Sequence, residues 1–275
     1  VVAIGGGSVI DMAKINNILA AQTNHTALDF INDCSLINDN GKPLVAIPTT
    51  AGSGSQATHF AVIYIQKVKY SVAHAHMLPD YAIVDYNFCY HTPKEIAACS
   101  AMDALSQAVE SYWSKHATYE SKKYSSEAIK LILPAISLAI NNKDKHAIQS
   151  MSLAAHLAGK AINITKTTAP HAISYTLTSN FKVPHGHAVA ALLGPTTYIS
   201  SLKTNKDFRL VLEEIFSFFG CESVNDFYDI WHKLMHECGL SPKLNFFGVS
   251  IKDIELIVNN VNIERISGHA VALEK

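Results

Sequence analysis

Hydrophobic and polar positions follow two different periods along the chain. In the first ninety or so residues, short β-branched runs alternate with loops, and residues 8–21 have helical periodicity. This pattern predicts strands at residues 1–4, 43–47, 60–65, 70–72 and 81–84. From residue 92 onward, apolar positions recur at helical spacing, which predicts helices at residues 93–115, 118–141, 145–164, 170–180, 189–201, 206–219, 223–238 and 251–261.

The change of period predicts two domains. Residues 1–91 have the strand–turn–helix order of an α/β dinucleotide-binding domain, and residues 92–275 are typical of an all-α domain. The chain starts on a buried strand with nothing before it to complete a sheet. We therefore expect the α/β domain to be incomplete here and an N-terminal segment to be missing. A cleft between the two domains is the expected place for a ligand.

Composition excludes several classes of protein. With 48% hydrophobic and 16% charged residues, the chain suits a compact enzyme rather than a disordered protein. The net charge of -1 offers no basic surface for nucleic acid, and no apolar run is long enough to span a bilayer. The 5 cysteines are scattered and form no CxxC, so we expect a reducing, cytoplasmic environment.

A glycine loop joins the first predicted strand to the first predicted helix. Such a loop lets backbone amides and the helix dipole approach a pyrophosphate, although a tight turn without a ligand has the same pattern. A second loop at residues 48–55 is rich in hydroxyl groups and also follows a strand. The candidate dinucleotide contacts in and after the glycine loop are Gly5, Gly6, Gly7, Ser8, Asp11 and Lys14.

Four residues of the helical part form a candidate metal site. Asp103 and Gln107 lie at i and i+4, so they share one helix face. His171 opens a later helix, and Pro184 and Gly186 predict a turn that aims His185 back toward it. A carboxylate, two imidazoles and an amide can hold a divalent cation, but a capping carboxylate and packing histidines would give the same spacing.

The ordered motifs of the chain resemble those of the iron-containing (group III) alcohol dehydrogenases. The matching segments are GGGSVIDMAK, IPTTAGSGSQAT, LPDYAIVD, MDALSQAVESYWS and PHAISYTLTSNFKVPHGHAVA. The resemblance implies a dehydroquinate synthase-like fold, in which a dinucleotide-binding α/β domain and a helical domain enclose the active site. It also implies NAD(P)H and a divalent metal, Fe²⁺ or Zn²⁺, as cofactors.

Carried onto this chain, the resemblance assigns nicotinamide and ribose contacts to Thr49, Thr50, Ser53 and Lys69. It assigns the metal ligands to Asp103, His171 and His185.

The chain departs from the family pattern at two positions of the site. Gln107 and Tyr175 stand where relatives carry histidines. An amide oxygen is a weaker ligand than imidazole, so the metal could be held loosely, be a different ion or be absent. Without a metal, Lys166, Tyr175 or His187 would have to supply the electrophile or the proton.

The segment before His171 indicates the substrate. Lys166 stands among Thr165, Thr167 and Thr168, and lysine with hydroxyl groups suits a phosphate-like anion. DALSQAVESYWS together with NITKTTAPH resembles the phosphonoacetaldehyde reductase (2-hydroxyethylphosphonate dehydrogenase) branch of the family. We therefore expect an oxidoreductase that interconverts a small anionic aldehyde and its primary alcohol.

Other functions stay open at this point. They are a general alcohol dehydrogenase for simple alcohols, an enzyme that eliminates phosphate from a sugar-phosphate, and a non-catalytic nucleotide-binding remnant. The expected partner is a small aldehyde or alcohol, with no nucleic acid and no membrane, and a homodimer is left open.

Overall fold

The computed structural model describes residues 1–65, 68–203 and 205–273, without the side chains of residues 64, 68, 69 and 264. A parallel sheet forms the first layer. Strand β2 (Val45–Pro48) lies in its centre, between β1 (Val2–Gly5) and β5 (Tyr81–Ala82). Helix α1 (Gly7–Leu19) follows β1 directly and buries Ile10 in the small apolar core beside the sheet.

An antiparallel hairpin covers the other side of α1. It consists of β3 (Phe60–Ile65) and β4 (Val68–Ala73). A second apolar core lies between α1 and this hairpin, and helix α2 (Ala27–Asn32), which was not predicted, packs on it. Its start is fixed by Thr26, whose hydroxyl accepts from the Asp29 backbone while the Asp29 carboxylate accepts from the Thr26 backbone. Six residues are too few to display a helical period, so the sequence pattern could not reveal this helix.

Helices make up the rest of the described chain. They are α3 (Lys94–Trp113), α4 (Tyr119–Ser137), α5 (Lys145–Thr165), α6 (Ala169–Phe181), α7 (His185–Leu202), α8 (Lys206–Phe218), α9 (Val224–Glu237), α10 (Ile254–Asn259) and α11 (Ile263–Ile266). None of the helices in this description combines the length and apolar character needed to cross a membrane.

Helix α3 lies at the centre of the helical part. Every residue from Ala101 to Trp113 is buried, because α4, α5, α7 and α8 surround it. Small residues such as Ala104 and Ala108 let these neighbours approach closely. A helix enclosed in this way must satisfy its polar side chains inside the protein.

Two predicted boundaries are wrong. Helix α7 begins at His185 rather than at residue 189, with Pro184 at its N-cap, so the expected Pro–Gly turn is the first turn of a helix. The helix predicted at residues 251–261 is shorter: a 3-10 turn (Ile251–Asp253) leads into α10, which ends at Asn259, and α11 is a separate short helix beyond the predicted span. Asn260 ends α10, because asparagine side chains compete with the helical backbone for hydrogen bonds.

Helix α5 meets the loop after β2 at two glycines. Gly54 adopts a left-handed conformation with φ 64°, and a Cβ on Gly159 would lie 2.7 Å from both the Cα and the O of Gly54. Nearby, the His59 backbone donates to Asn163 Oδ1 at 2.8 Å. The α/β part and the helical part therefore meet backbone to backbone, with no room for a side chain.

Lys14 is 0% exposed and fastens α1 to the start of β3. Its ammonium donates to Thr58 O at 2.8 Å, Thr58 Oγ1 at 3.0 Å and Phe60 O at 2.9 Å. Burial lowers the pKa of Lys14 to about 8, although the nearby Asp11 carboxylate opposes the shift. The three donors are used inside the protein, so Lys14 has a structural role. Its expected contact with a cofactor stays a prediction.

We predict that Gly159→Ala destabilises the protein by about 1–3 kcal/mol, because the added methyl would push the Gly54 loop away from α5. Urea unfolding measures the change. Gly194→Ala is the matched control, since its Cβ would meet only side chains, at 3.4 Å or more, and alanine favours a helix. An equal effect of the two substitutions would contradict the close approach.

We predict that Lys14→Met changes how stability depends on pH. The folded-state pKa of about 8 lies below the ordinary 10.5, so the unfolded chain binds more protons between these values and stability rises with pH there. The wild type should gain about 2 kcal/mol across this window relative to Lys14→Met. Urea unfolding at both ends of the window measures the difference, and exposed Lys123→Met should behave like the wild type. Parallel curves for the wild type and Lys14→Met would show that the prediction is wrong.

Candidate active site

A cavity of about 650 Å³, here called the cleft, lies where the glycine loop, α3, α6 and the start of α7 converge. Gly7 and Ser8 line one end, and Asp103 and His171 line the other. Gly7, Ser8 and Asp11 therefore face one space with the predicted metal residues, whereas Gly5, Gly6 and Lys14 are not among the residues that line it. The cleft is where a cofactor and a metal-bound substrate could meet.

The glycine loop is shaped by close contacts. A Cβ on Gly5 would lie 2.6 Å from Val9 Cβ, and one on Gly7 would lie 2.5 Å from Ser53 Oγ. Helix α1 has no side-chain cap at Gly6, and Val9 is the first amide of the helix that donates to Gly6 O, so the amides of Gly7 and Ser8 stay available to an anion. This backbone geometry suits a pyrophosphate, and the contact stays a prediction.

The second loop contributes Thr50 and Ser53 to the cleft wall. Thr49 is not among the described residues that line the cleft. Its backbone N–H donates to Gly5 O, and its carbonyl accepts from Thr92 Oγ1. This placement does not favour the direct contact expected of Thr49. The Lys69 side chain, assigned to the same group, lies outside the described residues.

Asp11 lines the cleft but is anchored to the protein. Its Oδ1 accepts a short hydrogen bond from Ser55 Oγ, and its Oδ2 accepts from the Val62 backbone at 3.0 Å. Asp11 therefore ties α1 to the second loop and to β3. Its contact with a cofactor stays a prediction.

Asp103, His171 and His185 come together at the far end of the cleft, with ligand atoms all within 4.8 Å of one another. Asp103 Oδ1 lies 3.3 Å from His171 Nε2 and 3.9 Å from His185 Nε2. Gly186 makes this approach feasible, because a Cβ there would lie 2.0 Å from Cys99 O on α3. The first turn of α7 therefore packs against α3 and holds His185 beside Asp103.

Gln107 completes the group on α3. Its Nε2 donates to Asp103 Oδ2 at 3.0 Å and to Ser53 O at 3.4 Å. Its Oε1 is buried and has no hydrogen-bond partner in the part of the chain that the structure describes. A carboxylate, two imidazoles and an amide oxygen are ligands of first-row divalent cations, so these residues fit a metal ion.

The sequence analysis missed Glu110, which lies one turn beyond Gln107 and is 0% exposed. Its Oε1 accepts from Thr168 N at 2.8 Å and Thr168 Oγ1 at 2.9 Å, and its Oε2 contacts His171 Nδ1 at short range. A carboxylate only accepts, so His171 carries its proton on Nδ1 and turns Nε2 toward Asp103. The i, i+4, i+7 spacing from Asp103 was the signal that could have found Glu110.

The His171 imidazole is charged more easily than an ordinary histidine. Burial would lower its pKa, but the carboxylates of Glu110 and Asp103 outweigh burial and raise the pKa to about 9. The two carboxylates therefore create a strongly negative electrostatic potential at the imidazole. A cation at His171 Nε2 would be stabilised by the same charges that now favour a proton.

Tyr175 lies one helical turn after His171. Its ring stacks on the His185 ring at a centroid distance of 5.9 Å, and its hydroxyl accepts from Arg265 Nη1 at 3.0 Å. His187, the other candidate proton donor, points elsewhere: its Nε2 contacts Ser241 O at 2.7 Å. Tyr175 is among the described residues that line the cleft, and His187 is not.

A second cavity, of about 740 Å³, lies next to the cleft and contains Lys166. Lys166 is exposed and has φ 60° and ψ 179°, a region that non-glycine residues rarely adopt. The Thr165 and Thr168 hydroxyls are occupied, with Ser111 and Glu110 respectively. Of the three threonines in the expected anion pocket, Thr167 alone lines both cavities.

The sequence of the chain is similar to those of known alcohol dehydrogenases and aldehyde reductases. Long-chain-alcohol dehydrogenase 1 of Geobacillus thermodenitrificans is 35% identical over 70% of this chain and 49% of its own length. Phosphonoacetaldehyde reductase of Streptomyces viridochromogenes is 34% identical over 70% of this chain and 51% of its own length. The chain thus spans about half the length of these two relatives.

Solved structures share the fold. Sulfoacetaldehyde reductase from Bifidobacterium kashiwanohense, crystallised in complex with NAD⁺, superimposes with a TM-score of 0.91 and 29% identity, covering 99% of this chain and 72% of that one. An alcohol dehydrogenase from Oenococcus oeni has a TM-score of 0.88 at 24% identity, with 99% and 73% covered, which supports the fold alone.

Family profiles match both parts of the chain. Residues 1–86 match "Iron-containing alcohol dehydrogenase", and residues 97–270 match "Fe-containing alcohol dehydrogenase family, C-terminal". These matches agree with a glycine loop and a carboxylate–histidine cluster facing one cleft. The chain belongs to the iron-containing alcohol dehydrogenase family.

Proposed function

We propose that the protein is an NAD(P)-dependent oxidoreductase that interconverts a small aldehyde and its primary alcohol. The substrate pair that we propose is phosphonoacetaldehyde and 2-hydroxyethylphosphonate. One observation carries the proposal: the cleft joins the glycine loop at Gly7 and Ser8 to the cluster of Asp103, His171 and His185. That geometry suits transfer between a dinucleotide and a substrate oriented by the cluster.

The cofactors supply the chemistry that side chains lack. NAD(P)H held by the glycine loop would supply the hydride for the carbonyl carbon and become NAD(P)⁺, and a proton from solvent would complete the alcohol. A divalent cation held by Asp103, Gln107, His171 and His185 would supply Lewis acidity toward that oxygen.

The residues of the chain provide position and exclude water. Glu110 fixes the tautomer and the orientation of His171, so that Nε2 faces Asp103. The Ser53 carbonyl accepts from Gln107, which ties the metal end of the cleft to the loop beside the glycines. Phe60, Val62 and Ile162 give the cleft an apolar wall that displaces solvent from a bound aldehyde.

The choice of an anionic aldehyde rests on two supports. A phosphonoacetaldehyde reductase and a sulfoacetaldehyde reductase are among the similar proteins, and both names describe an aldehyde with a tetrahedral anion. The second cavity beside the cleft carries Lys166, a cation that suits such an anion. A cytoplasmic location and a homodimer stay predictions.

We expect the purified full-length protein to oxidise NADH or NADPH when phosphonoacetaldehyde is added, with a kcat/KM about tenfold or more above that for propanal. Loss of the absorbance of the reduced nicotinamide measures both. A chelator should abolish the activity, and Fe²⁺ or Zn²⁺ should restore it. A preference for propanal would favour the general alcohol dehydrogenase. No aldehyde-dependent oxidation with either cofactor would overturn the proposal.

We predict that Glu110→Gln lowers both metal affinity and kcat by about 10- to 100-fold. The glutamine can keep its oxygen on Thr168, but its amide would then donate to His171 Nδ1 and force the imidazole proton onto Nε2. Metal content after dialysis, measured by elemental analysis, gives a readout besides turnover.

Exposed Glu127→Gln on α4 is the matched control and should retain metal and activity. Normal metal content in Glu110→Gln would rule out the orienting role of Glu110.

A further inference from the structure

The second cavity adjoins the cleft. Phe60, Val62, Thr167 and Tyr175 line both spaces and form the boundary between them. Thr167 is half-buried at this boundary. A ligand that begins at the cluster of Asp103, His171 and His185 and passes Tyr175 would reach the second cavity.

The two spaces differ in charge. The cleft is lined by three carboxylates, those of Asp11, Glu95 and Asp103. The described wall of the second cavity contains Lys166, Arg265 and His116 but no aspartate or glutamate. A cavity that has low-dielectric walls and is lined by positive charges concentrates anions. The pair of spaces therefore has a polarity that can orient a ligand with one neutral and one anionic end.

Arg265 is held at the boundary by Tyr175. Its Nη1 donates to Tyr175 Oη at 3.0 Å, and its guanidinium carbon lies 5.0 Å from the centre of the Tyr175 ring. Arg265 is half-buried and has no ion-pair partner among the residues that the structure describes. A guanidinium has five donors in a planar fork, and the hydrogen bond to Tyr175 leaves donors for a tetrahedral oxyanion.

Tyr175 links this arginine to the reaction site. Its ring stacks on His185, one of the three clustered side chains, while its hydroxyl fixes the guanidinium. A two-carbon aldehyde with a phosphonate or sulfonate end places its anion a few bonds from its carbonyl oxygen. The anion would then lie across the Tyr175 ring from His185.

We propose that the second cavity is the subsite for the anionic end of the substrate, with Arg265 as its main ligand and Lys166 as a second cation. Arg265 selects aldehydes that carry a phosphonate or sulfonate, and it sets the distance of the carbonyl from the clustered residues. This inference rests on the proposed function, because it assigns the second end of the same substrate. It also corrects the sequence-based pocket, since Thr165 and Thr168 are occupied elsewhere.

The test compares Arg265→Met and Arg265→Lys with Arg209→Met, which replaces the exposed arginine on α8. Initial rates are measured with phosphonoacetaldehyde, sulfoacetaldehyde and propanal. Arg265→Met should lower kcat/KM for both anionic aldehydes by about 10- to 100-fold, mainly through KM, and change propanal less than about threefold. Arg265→Lys should retain part of the activity, because it keeps the charge and loses the fork. Arg209→Met should match the wild type.

Equal losses with propanal, or no loss with the anionic aldehydes, would overturn the assignment of Arg265. A loss confined to phosphonoacetaldehyde would restrict the subsite to dianions, which overturns the sulfonate half of the proposal. Thermal unfolding of each variant identifies any loss of activity that comes from misfolding. If Arg265→Met is misfolded, Arg265→Lys is compared with the wild type instead.

A binding measurement separates this inference from the proposed function. Methylphosphonate has the anion but no carbonyl, so its binding, measured by titration calorimetry, does not depend on turnover. Weakening by about tenfold or more in Arg265→Met would support the subsite even if no aldehyde is reduced. Absence of methylphosphonate binding to the wild type would overturn the subsite even if the protein reduces aldehydes.

Discussion

The burial of α3 is the constraint on which the rest of the structure depends. A helix enclosed on all sides can carry carboxylates only if neighbouring groups satisfy them, because unpaired buried charge is costly. Asp103, Gln107 and Glu110 share one face of α3, and His171 lies between the two carboxylates. The surrounding helices thus pack around a polar face of α3. The buried side chains on this face need hydrogen-bond partners inside the core, and they also supply ligands of the candidate metal site.

Close backbone contacts bring α7, and the loop after β2, to this polar face of α3 and its neighbour α5. Gly186 lets the first turn of α7 lie against α3, and Gly159 lets α5 lie against the Gly54 loop. Side chains at these positions would separate the elements by more than the site can tolerate, because the ligand atoms of the cluster all lie within 4.8 Å of one another. The geometry of the candidate site therefore depends on glycines that have no chemistry of their own.

The long elements and the grouping of Asp103, His171 and His185 could be predicted from the sequence. Helical periodicity located α3 and α5, and the order of the motifs along the chain was enough to indicate the family. The short helices α2 and α11 could not be found, since too few residues carry their pattern. The structural role of Lys14 could not be predicted, because a lysine after a glycine loop has the same pattern whether its ammonium faces a phosphate or three protein oxygens.

The sequence by itself determined the fold class, the family and the residue types that fit a cofactor and a metal. Spacing along one helix or one loop carries this information, because those distances are fixed by local geometry. Only the tertiary structure decided which side chains meet across elements. It joined Glu110 to His171 and Arg265 to Tyr175, pairs that lie 61 and 90 positions apart. No local pattern encodes such pairs, since their distance is set by how whole helices pack.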